Sequence, residues 1–261
     1  MKNSFLGKKV LLAGETWISR SIHIKGFDEF SSTTFHNGAL DFLSVMQKQG
    51  IDVVQMPAHQ VPDSFPRSLE ELNNYSAIIL SDIGSNSLLL SNDLWLKSKS
   101  IPNSLDILSK WVTSGGSLLM VGGYLSFQGF QGIANFSNTS LNTVLPVLIS
   151  QFDDRVEVPQ GFKLKIEKEH MITQNFFKKI NKFEQEPPKL LGYNKTSLKV
   201  GSDLLLSINN DPLLAVCETG SGRTAVWTSD IGPHWCPPEF ITWAGYEELL
   251  SNLVSWLIRK I

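Results

Sequence analysis

Acidic and basic side chains in the N-terminal part of the chain could together hold a polar substrate or move a proton. Glu15, His23, Lys25 and Asp28 bring an acid, a base and a cation into one short segment. Such a combination is suited to general acid–base chemistry. Solvated loops are also rich in polar residues, so a purely structural role for this segment stays open.

A second candidate pair lies near the C-terminus. Asp230 and His234 are four residues apart, in a segment that also contains Gly232 and Pro233. Histidine titrates near neutral pH, and a nearby carboxylate can orient its ring and raise its pKa. We therefore predict that His234 is the catalytic acid or base, with Asp230 or Glu15 as its partner. The alternative is that His234 only bonds to its own loop.

A third candidate region follows two apolar runs, where Asp82 and the pair Gly122-Gly123 occur. The N–H groups of a glycine pair can form a nest for an anion, although a tight turn requires the same glycines. Asp82 could contact the same ligand or cap the turn that follows it. The predicted ligand-binding residues are His23, Lys25, Asp82, Gly122, Gly123, Tyr124 and Ser126.

A metal site would need the convergence of residues that are far apart in the sequence, namely Glu15, His23, Asp82 and His234. Carboxylate and imidazole groups can ligate metals, but this spacing fits no short ligand motif. The two cysteines, Cys217 and Cys236, do not form a C-x-x-C pair. We therefore predict neither a metal nor a cofactor.

Elements that could position these residues are visible as short apolar runs that end in glycine or in polar residues, a pattern typical of buried parallel strands. The four predicted strands are residues 8–14, 51–56, 77–82 and 117–121. Apolar residues at helical spacing lie between them, for example from Phe35 to Met46, whereas residues 15–32 are expected to form a loop. This alternation predicts a doubly wound sheet that binds ligands at the carboxyl ends of its strands.

The C-terminal half has a different pattern. Turn sequences separate three runs, at residues 204–208, 213–218 and 223–228, which we predict to be antiparallel strands. A final helix is expected at about residues 243–258. The predicted fold class is therefore α/β, with a mostly parallel sheet and antiparallel additions, in a single domain over residues 1–261.

Composition limits the possible partners. The formal net charge is −2 and the sequence pI is about 6.2, which argues against a general nucleic-acid-binding surface. No apolar run approaches the roughly 20 residues that span a bilayer, and residues 1–9 lack a signal-peptide core. We therefore expect a cytoplasmic protein that binds neither nucleic acid nor membrane.

Three segments carry a resemblance to a known superfamily: residues 14–28, 122–129 and 222–235. Together they resemble the class I glutamine amidotransferase-like superfamily, in particular a bacterial family of about this length. The third segment is also similar to ThuA-like proteins, in which a Gly-Arg strand ends in a loop that carries a histidine. The resemblance implies a flavodoxin-like doubly wound fold.

The resemblance also implies a cysteine nucleophile on a sharp turn after a parallel strand, activated by a histidine and a glutamate. In this sequence Gly123 takes the place of that cysteine, and glycine cannot act as a nucleophile. We therefore predict a protein that binds or transforms a polar small molecule, with a carbohydrate derivative as the best candidate. An enzyme of this kind would be a hydrolase or a proton-transfer enzyme, not a glutaminase.

Two alternatives stay open. The first is a non-catalytic module that forms a homo-oligomer or binds another protein through aromatic residues. Those aromatic residues could equally line a pocket of sugar size or pack in the core, and they are Trp17, Tyr124, Phe127, Trp235 and Trp243. The second is an active glutaminase in which Cys236 or Ser126 replaces the missing nucleophile.

Overall fold

The computed structural model describes residues 9–174 and 186–261. The predicted start of the first strand at Lys8, and the remainder of the N-terminal segment, lie outside the described residues. One eight-stranded sheet dominates the fold. Its strands are β1 (Lys9–Gly14), β4 (Asp52–Met56), β5 (Ala77–Ser81), β6 (Ser117–Val121), β9 (Leu164–Ile166), β12 (Asp203–Ile208), β13 (Asp211–Thr219) and β14 (Gly222–Trp227).

Three smaller sheets have two strands each. They pair β2 (Thr16–Lys25) with β3 (Asp28–Asn37), β7 (Val147–Ile149) with β11 (Thr196–Leu198), and β8 (Arg155–Phe162) with β10 (Leu190–Asn194). The described α-helices are α1 (Leu40–Lys48), α2 (Val61–Ser64), α3 (Leu69–Leu72), α4 (Ser85–Leu89), α5 (Asn92–Trp95), α6 (Ser104–Thr113), α7 (Leu141–Val144), α8 (Pro238–Ile241) and α9 (Ala244–Leu257). Within the two described ranges, these helices fall short of what a bilayer-spanning segment requires.

The strand order is β4-β1-β5-β6-β14-β13-β12-β9. The first four strands pair in parallel, as predicted for the strands around Val10, Val53, Ile79 and Leu119. Strand β14 pairs in parallel with β6 and antiparallel with β13, and β12 and β9 extend the antiparallel part. The predicted α/β class and antiparallel additions are therefore confirmed, while the single domain over residues 1–261 stays a prediction.

Alternation along the central strands fills two hydrophobic cores, one on each face of the sheet. On one face, Leu12 and Leu119 pack with Phe42 of α1 and Leu249 of α9. On the other face, Leu11 and its neighbours pack against the apolar side of α6. Because the central strands are covered on both faces, they read as continuous apolar runs in the sequence.

Residues 15–32, predicted to be a loop, instead form most of a β-hairpin. Strands β2 and β3 pair over their full length, and Gly26, at φ 65°, begins the two-residue turn between them. The helix predicted from Phe35 starts only at Leu40, because Phe35 belongs to β3. We call the hairpin of residues 16–37 the arm.

The central strand β6 supplies a test of the two-sided core. Leu119 is fully buried, so Leu119→Ala removes contacts and leaves a cavity, and we expect a loss of about 2–5 kcal/mol in the free energy of unfolding. The matched control is Leu40→Ala, since Leu40 is 63% exposed. Urea denaturation measures both variants, and equal losses would contradict this account of the core.

Candidate functional site

Four neighbouring strands end side by side and surround one cavity. Glu15 follows β1, Asp82 follows β5, Tyr124 lies just after β6, and the loop after β14 carries Asp230 and His234. A cavity of about 450 Å³ opens between these segments. Its lining consists of Glu15, Trp17, Asp82, Tyr124, Leu125, Phe130, Asp230, Pro233 and His234. Glu15, Asp82, Tyr124 and His234, which we predicted to surround one cleft, are all among these lining residues.

Glu15 is a deeply buried acid in the cavity wall. It adopts a left-handed backbone conformation, with φ 53°, and its N–H donates to the carbonyl of Ser81 at 2.7 Å. The Ser81 hydroxyl donates to Oε2 of Glu15 at 2.5 Å. Burial, together with the charges of Asp230 and Asp82, raises the pKa of Glu15 to about 8. Glu15 is therefore mostly protonated at neutral pH and can donate a proton.

Asp82 occupies the space in front of the glycine turn. It is also left-handed, with φ 42°, and its Oδ1 accepts the Leu125 N–H at 2.8 Å. Burial raises the pKa of Asp82 to about 6, against the lowering effect of that hydrogen bond. A Cβ atom on Gly123 would approach Oδ1 of Asp82 to 2.7 Å, and Gly123 has φ 142°. The position that the resemblance assigns to a nucleophile is thus closed to a side chain.

His234 and Asp230 form a hydrogen-bonded pair in the loop after β14. Nδ1 of His234 lies 2.8 Å from Oδ2 of Asp230, which also accepts the Trp235 N–H at 2.9 Å. Burial lowers the pKa of His234, but the hydrogen bond and charge of Asp230, and the carboxylates of Glu157 and Asp82, outweigh it and raise the pKa overall. With Nδ1 held by Asp230, Nε2 is free to exchange a proton with a ligand.

Glu157 on β8 is a functional candidate that the sequence did not reveal. Its Oε1 accepts hydrogen bonds from the Tyr124 hydroxyl at 2.9 Å and from Nε1 of Trp235 at 2.8 Å, and lies 3.7 Å from Nε2 of His234. The Tyr124 ring also packs edge-on against the His234 ring, with centroids 4.5 Å apart. Glu157 therefore fixes two aromatic groups and faces the free nitrogen of the histidine.

Arg155, also on β8, supports the aromatic wall. Its guanidinium lies 4.9 Å from the centre of the Tyr124 ring and 4.2 Å from that of Phe130. It also forms an ion pair with Asp153 at 2.8 Å and lies 3.6 Å from Glu157. Arg155 is therefore a positioning residue whose charge is largely offset by its own neighbours.

A buried hydrogen-bond network holds the glycine turn in place. The Gly123 N–H donates to Oδ1 of Asn194 at 2.9 Å, and the Asn194 amide donates to Oδ1 of Asp154 at 2.8 Å. The Gly122 N–H donates to the carbonyls of Trp227 and Ser229. Both glycine N–H groups therefore have acceptors inside the protein. An anion-binding nest at Gly122-Gly123 would have to displace them.

The remaining predicted ligand-binding residues lie away from the cavity lining. His23 and Lys25 belong to the exposed arm, where His23 is 3.0 Å from the Ser32 hydroxyl. Ser126 is buried, and its hydroxyl accepts the Asp82 N–H at 3.1 Å, which makes it a support for Asp82.

The four residues considered as metal ligands were Glu15, His23, Asp82 and His234. They do not come together, because His23 is on the arm. Among the described residues, no group of three or more metal-ligating side chains is arranged to hold an ion.

Neither cysteine lines the cavity. Cys236 is fully buried in the core, where burial and the charges of Asp230 and Glu15 raise the pKa of its thiol. Cys217 lies on the antiparallel strand β13. Cys236, which has no access to the cavity and whose thiolate form is disfavoured, is therefore a poor nucleophile.

Comparison with known proteins identifies the relatives of this chain. A family model described as "Putative glutamine amidotransferase" matches residues 9–259. The chain belongs to this family. No curated protein matches the chain.

Two solved structures of cytoplasmic proteins from Salmonella typhimurium are closely similar to this family member. STM3548 is 42% identical, with a TM-score of 0.89, over 95% of this chain and 98% of its own. STM1381 from strain LT2 is 44% identical, with a TM-score of 0.88, over 95% and 99%. A ThuA-like protein from Bacteroides uniformis is 12% identical, with a TM-score of 0.52, over 98% and 94%, and shares the fold.

The raised pKa of Glu15 predicts a pH dependence of stability. The folded chain keeps a proton on Glu15 up to about pH 8, whereas the unfolded chain releases it near the ordinary glutamate pKa of 4.5. Stability should therefore fall as the pH rises from about 4.5 to about 8, by up to about 1.4 kcal/mol per pH unit from this group. Glu15→Gln is always neutral and removes this component. Denaturant unfolding of both proteins at several pH values measures the difference.

The control for this prediction is Glu169→Gln, which changes an exposed glutamate outside both the cavity lining and the arm. Glu169→Gln should follow the wild-type pH profile, while the stability of Glu15→Gln should rise relative to wild type as the pH increases. Parallel profiles for wild type and Glu15→Gln would show that Glu15 is ionised in the folded protein.

Proposed function

We propose that this protein binds a polar small molecule in the cavity and transforms it by proton transfer, without a cysteine nucleophile. The observation that supports this most is that three groups able to exchange protons near neutral pH line one cavity. The pKa values of Glu15 and Asp82 are raised to about 8 and about 6, and the pKa of His234 is also raised. Groups poised in this way are what general acid–base catalysis requires.

The proposed roles follow from the hydrogen bonds of each group. Asp230 holds Nδ1 of His234, so Nε2 takes a proton from a ligand hydroxyl or from water. Protonated Glu15, which lines the same cavity, returns a proton to the ligand. Oδ1 of Asp230 is buried and has no hydrogen-bond partner among the described residues, so it offers an acceptor for a ligand donor. Such chemistry corresponds to a hydrolase or a proton-transfer enzyme.

A carbohydrate derivative is the proposed ligand class. The cavity combines acidic groups with aromatic walls formed by Trp17, Tyr124 and Phe130. Sugars offer hydroxyl groups to the carboxylates and C–H faces to aromatic rings. The volume of about 450 Å³ suits a small molecule of this kind. The proposed location is the cytoplasm, supported by two close relatives described as cytoplasmic proteins.

A thermal-shift screen tests the ligand class. The panel contains neutral monosaccharides, sugar acids and amino sugars. A ligand at about 100 times its dissociation constant adds about 2.7 kcal/mol, which corresponds to roughly 5–10 °C in Tm for a chain of this length. We expect at least one panel member to stabilise the wild type, and His234→Gln and Glu15→Gln to reduce that shift, because both residues line the cavity.

The matched control for the screen is His59→Gln, because His59 is exposed and outside the cavity lining. It should keep the wild-type shift. A shift that survives unchanged in His234→Gln would place the ligand elsewhere and overturn the proposed site. If no panel member stabilises the wild type, the carbohydrate assignment fails.

Absence of glutaminase activity is the second expected outcome. Glutamine hydrolysis in this superfamily passes through a thioester, and Gly123 offers no thiol. We expect ammonia release from glutamine to stay at the background level for wild type, Cys236→Ser and Cys217→Ser alike. Release that disappears only in Cys236→Ser would promote Cys236 to nucleophile and overturn this part of the proposal.

A non-catalytic interaction module is the second candidate function. A shallow surface whose polar groups are tied up in salt bridges would favour it. The acids of the cavity instead lie in a recess and are paired mainly by hydrogen bonds. The exposed apolar side of the arm nevertheless supports an additional role in assembly.

A further inference from the structure

The arm extends from the body of the protein as an almost isolated ribbon. Strands β2 and β3 have ten residues each and pair from Thr16 with Asn37 to Lys25 with Asp28. Ten strand residues span about 33 Å. Apart from residues near its base, most of the ribbon is exposed. An isolated two-stranded hairpin is at best marginally stable in water, so a ribbon of this length needs a surface to pack against.

The two faces of the arm differ in chemistry because side chains alternate along each strand. One face carries Ile18, Ile22 and Ile24, with Phe35 directly across from Ile18. These side chains are 56%, 62%, 70% and 51% exposed. The other face is mainly polar over the same stretch, with Ser19 opposite Thr34 and Ser21 opposite Ser32. We call the first of these the isoleucine face.

The apolar area of the isoleucine face is large for a surface in contact with water. Together with the fully exposed Phe27 at the turn, its side chains present roughly 500 Å² of apolar surface, at about 150 Å² for each whole side chain. Monomeric proteins seldom expose larger contiguous patches. Two such faces packed together would bury roughly 1,000 Å² of apolar surface, and with their polar borders they approach a stable interface of about 1,200–2,000 Å².

The charges on the arm favour a second copy of the same chain as the partner. Arg20 and Lys25 balance Asp28 and Glu29, so the arm has no excess charge that would direct it to nucleic acid or to an anionic membrane. Arg20 and Glu29 both lie on the isoleucine face, because Glu29 is paired with Ile24. A surface that carries both members of an ion pair can be complementary to itself.

A two-fold axis at Ile22 would bring both the apolar and the charged groups of one arm against complementary groups of the other. It places the row that contains Arg20 opposite the row that contains Glu29 in the other copy, because these rows flank Ile22 at equal distance. It also brings Ile18 and Phe35 of one copy toward Phe27 of the other. We propose that the protein forms a homodimer in which the isoleucine faces of two arms pack together about this axis.

The mass in solution, measured by light scattering coupled to size-exclusion chromatography, tests the proposal. We expect the wild type to have twice the chain mass of 29.1 kDa, or an even multiple of it. Ile22→Asp places two like charges against each other at the axis, so we expect the dissociation constant of the arm contact to rise by about 100-fold or more. Ser21→Asp adds the same charge to the neighbouring residue on the opposite face and should leave the mass unchanged.

Disulfide capture tests the position of the axis. A residue on a two-fold axis meets its own copy, so Ile22→Cys should form a cross-linked dimer on mild oxidation, whereas Ser21→Cys should not. Circular dichroism checks that each variant is folded. A monomeric wild type, an Ile22→Asp protein that assembles as well as wild type, or equal dissociation of Ile22→Asp and Ser21→Asp would each overturn the proposal. Equal cross-linking of both cysteine variants would overturn the assigned axis.

Discussion

Four parallel strands end at the same edge of the sheet. The residues that line the cavity lie in the segments that follow these strands. Glu15 and Asp82 follow neighbouring strands directly, and the loop that carries His234 follows a strand two places further along the sheet. Strand β14 is decisive, because it is parallel to β6 although its other neighbour is antiparallel. Reversal of β14 would carry the Asp230–His234 pair to the opposite edge.

The Asp82 carboxylate occupies its position because Gly123 has no side chain. A left-handed backbone at Asp82 directs its carboxylate toward the glycine turn, where it accepts the Leu125 N–H. Non-glycine residues in this conformation cost about 1–3 kcal/mol, and such strain often marks functional sites. In this family member, a carboxylate fills the space that would otherwise be available to a side chain on the turn.

Sequence patterns predicted the parallel core well, because strands that are buried on both faces are continuous apolar runs. They failed at the arm, where Ser, Thr and His between the isoleucines made residues 15–32 resemble a loop. The alternation of Ile18, Ile22 and Ile24 around Gly26 was the available signal. No comparable signal exists for Glu157, since its contacts with Tyr124, Trp235 and His234 depend on tertiary pairing between distant segments.

The protonation of Glu15 also changes the electrical character of the whole molecule. The formal charge of −2 treats every glutamate as ionised, yet a pKa of about 8 leaves Glu15 neutral at pH 7. The native protein should therefore migrate in an electric field as a species with a charge nearer −1 than −2, and its isoelectric point should lie above the value of 6.2 given by composition.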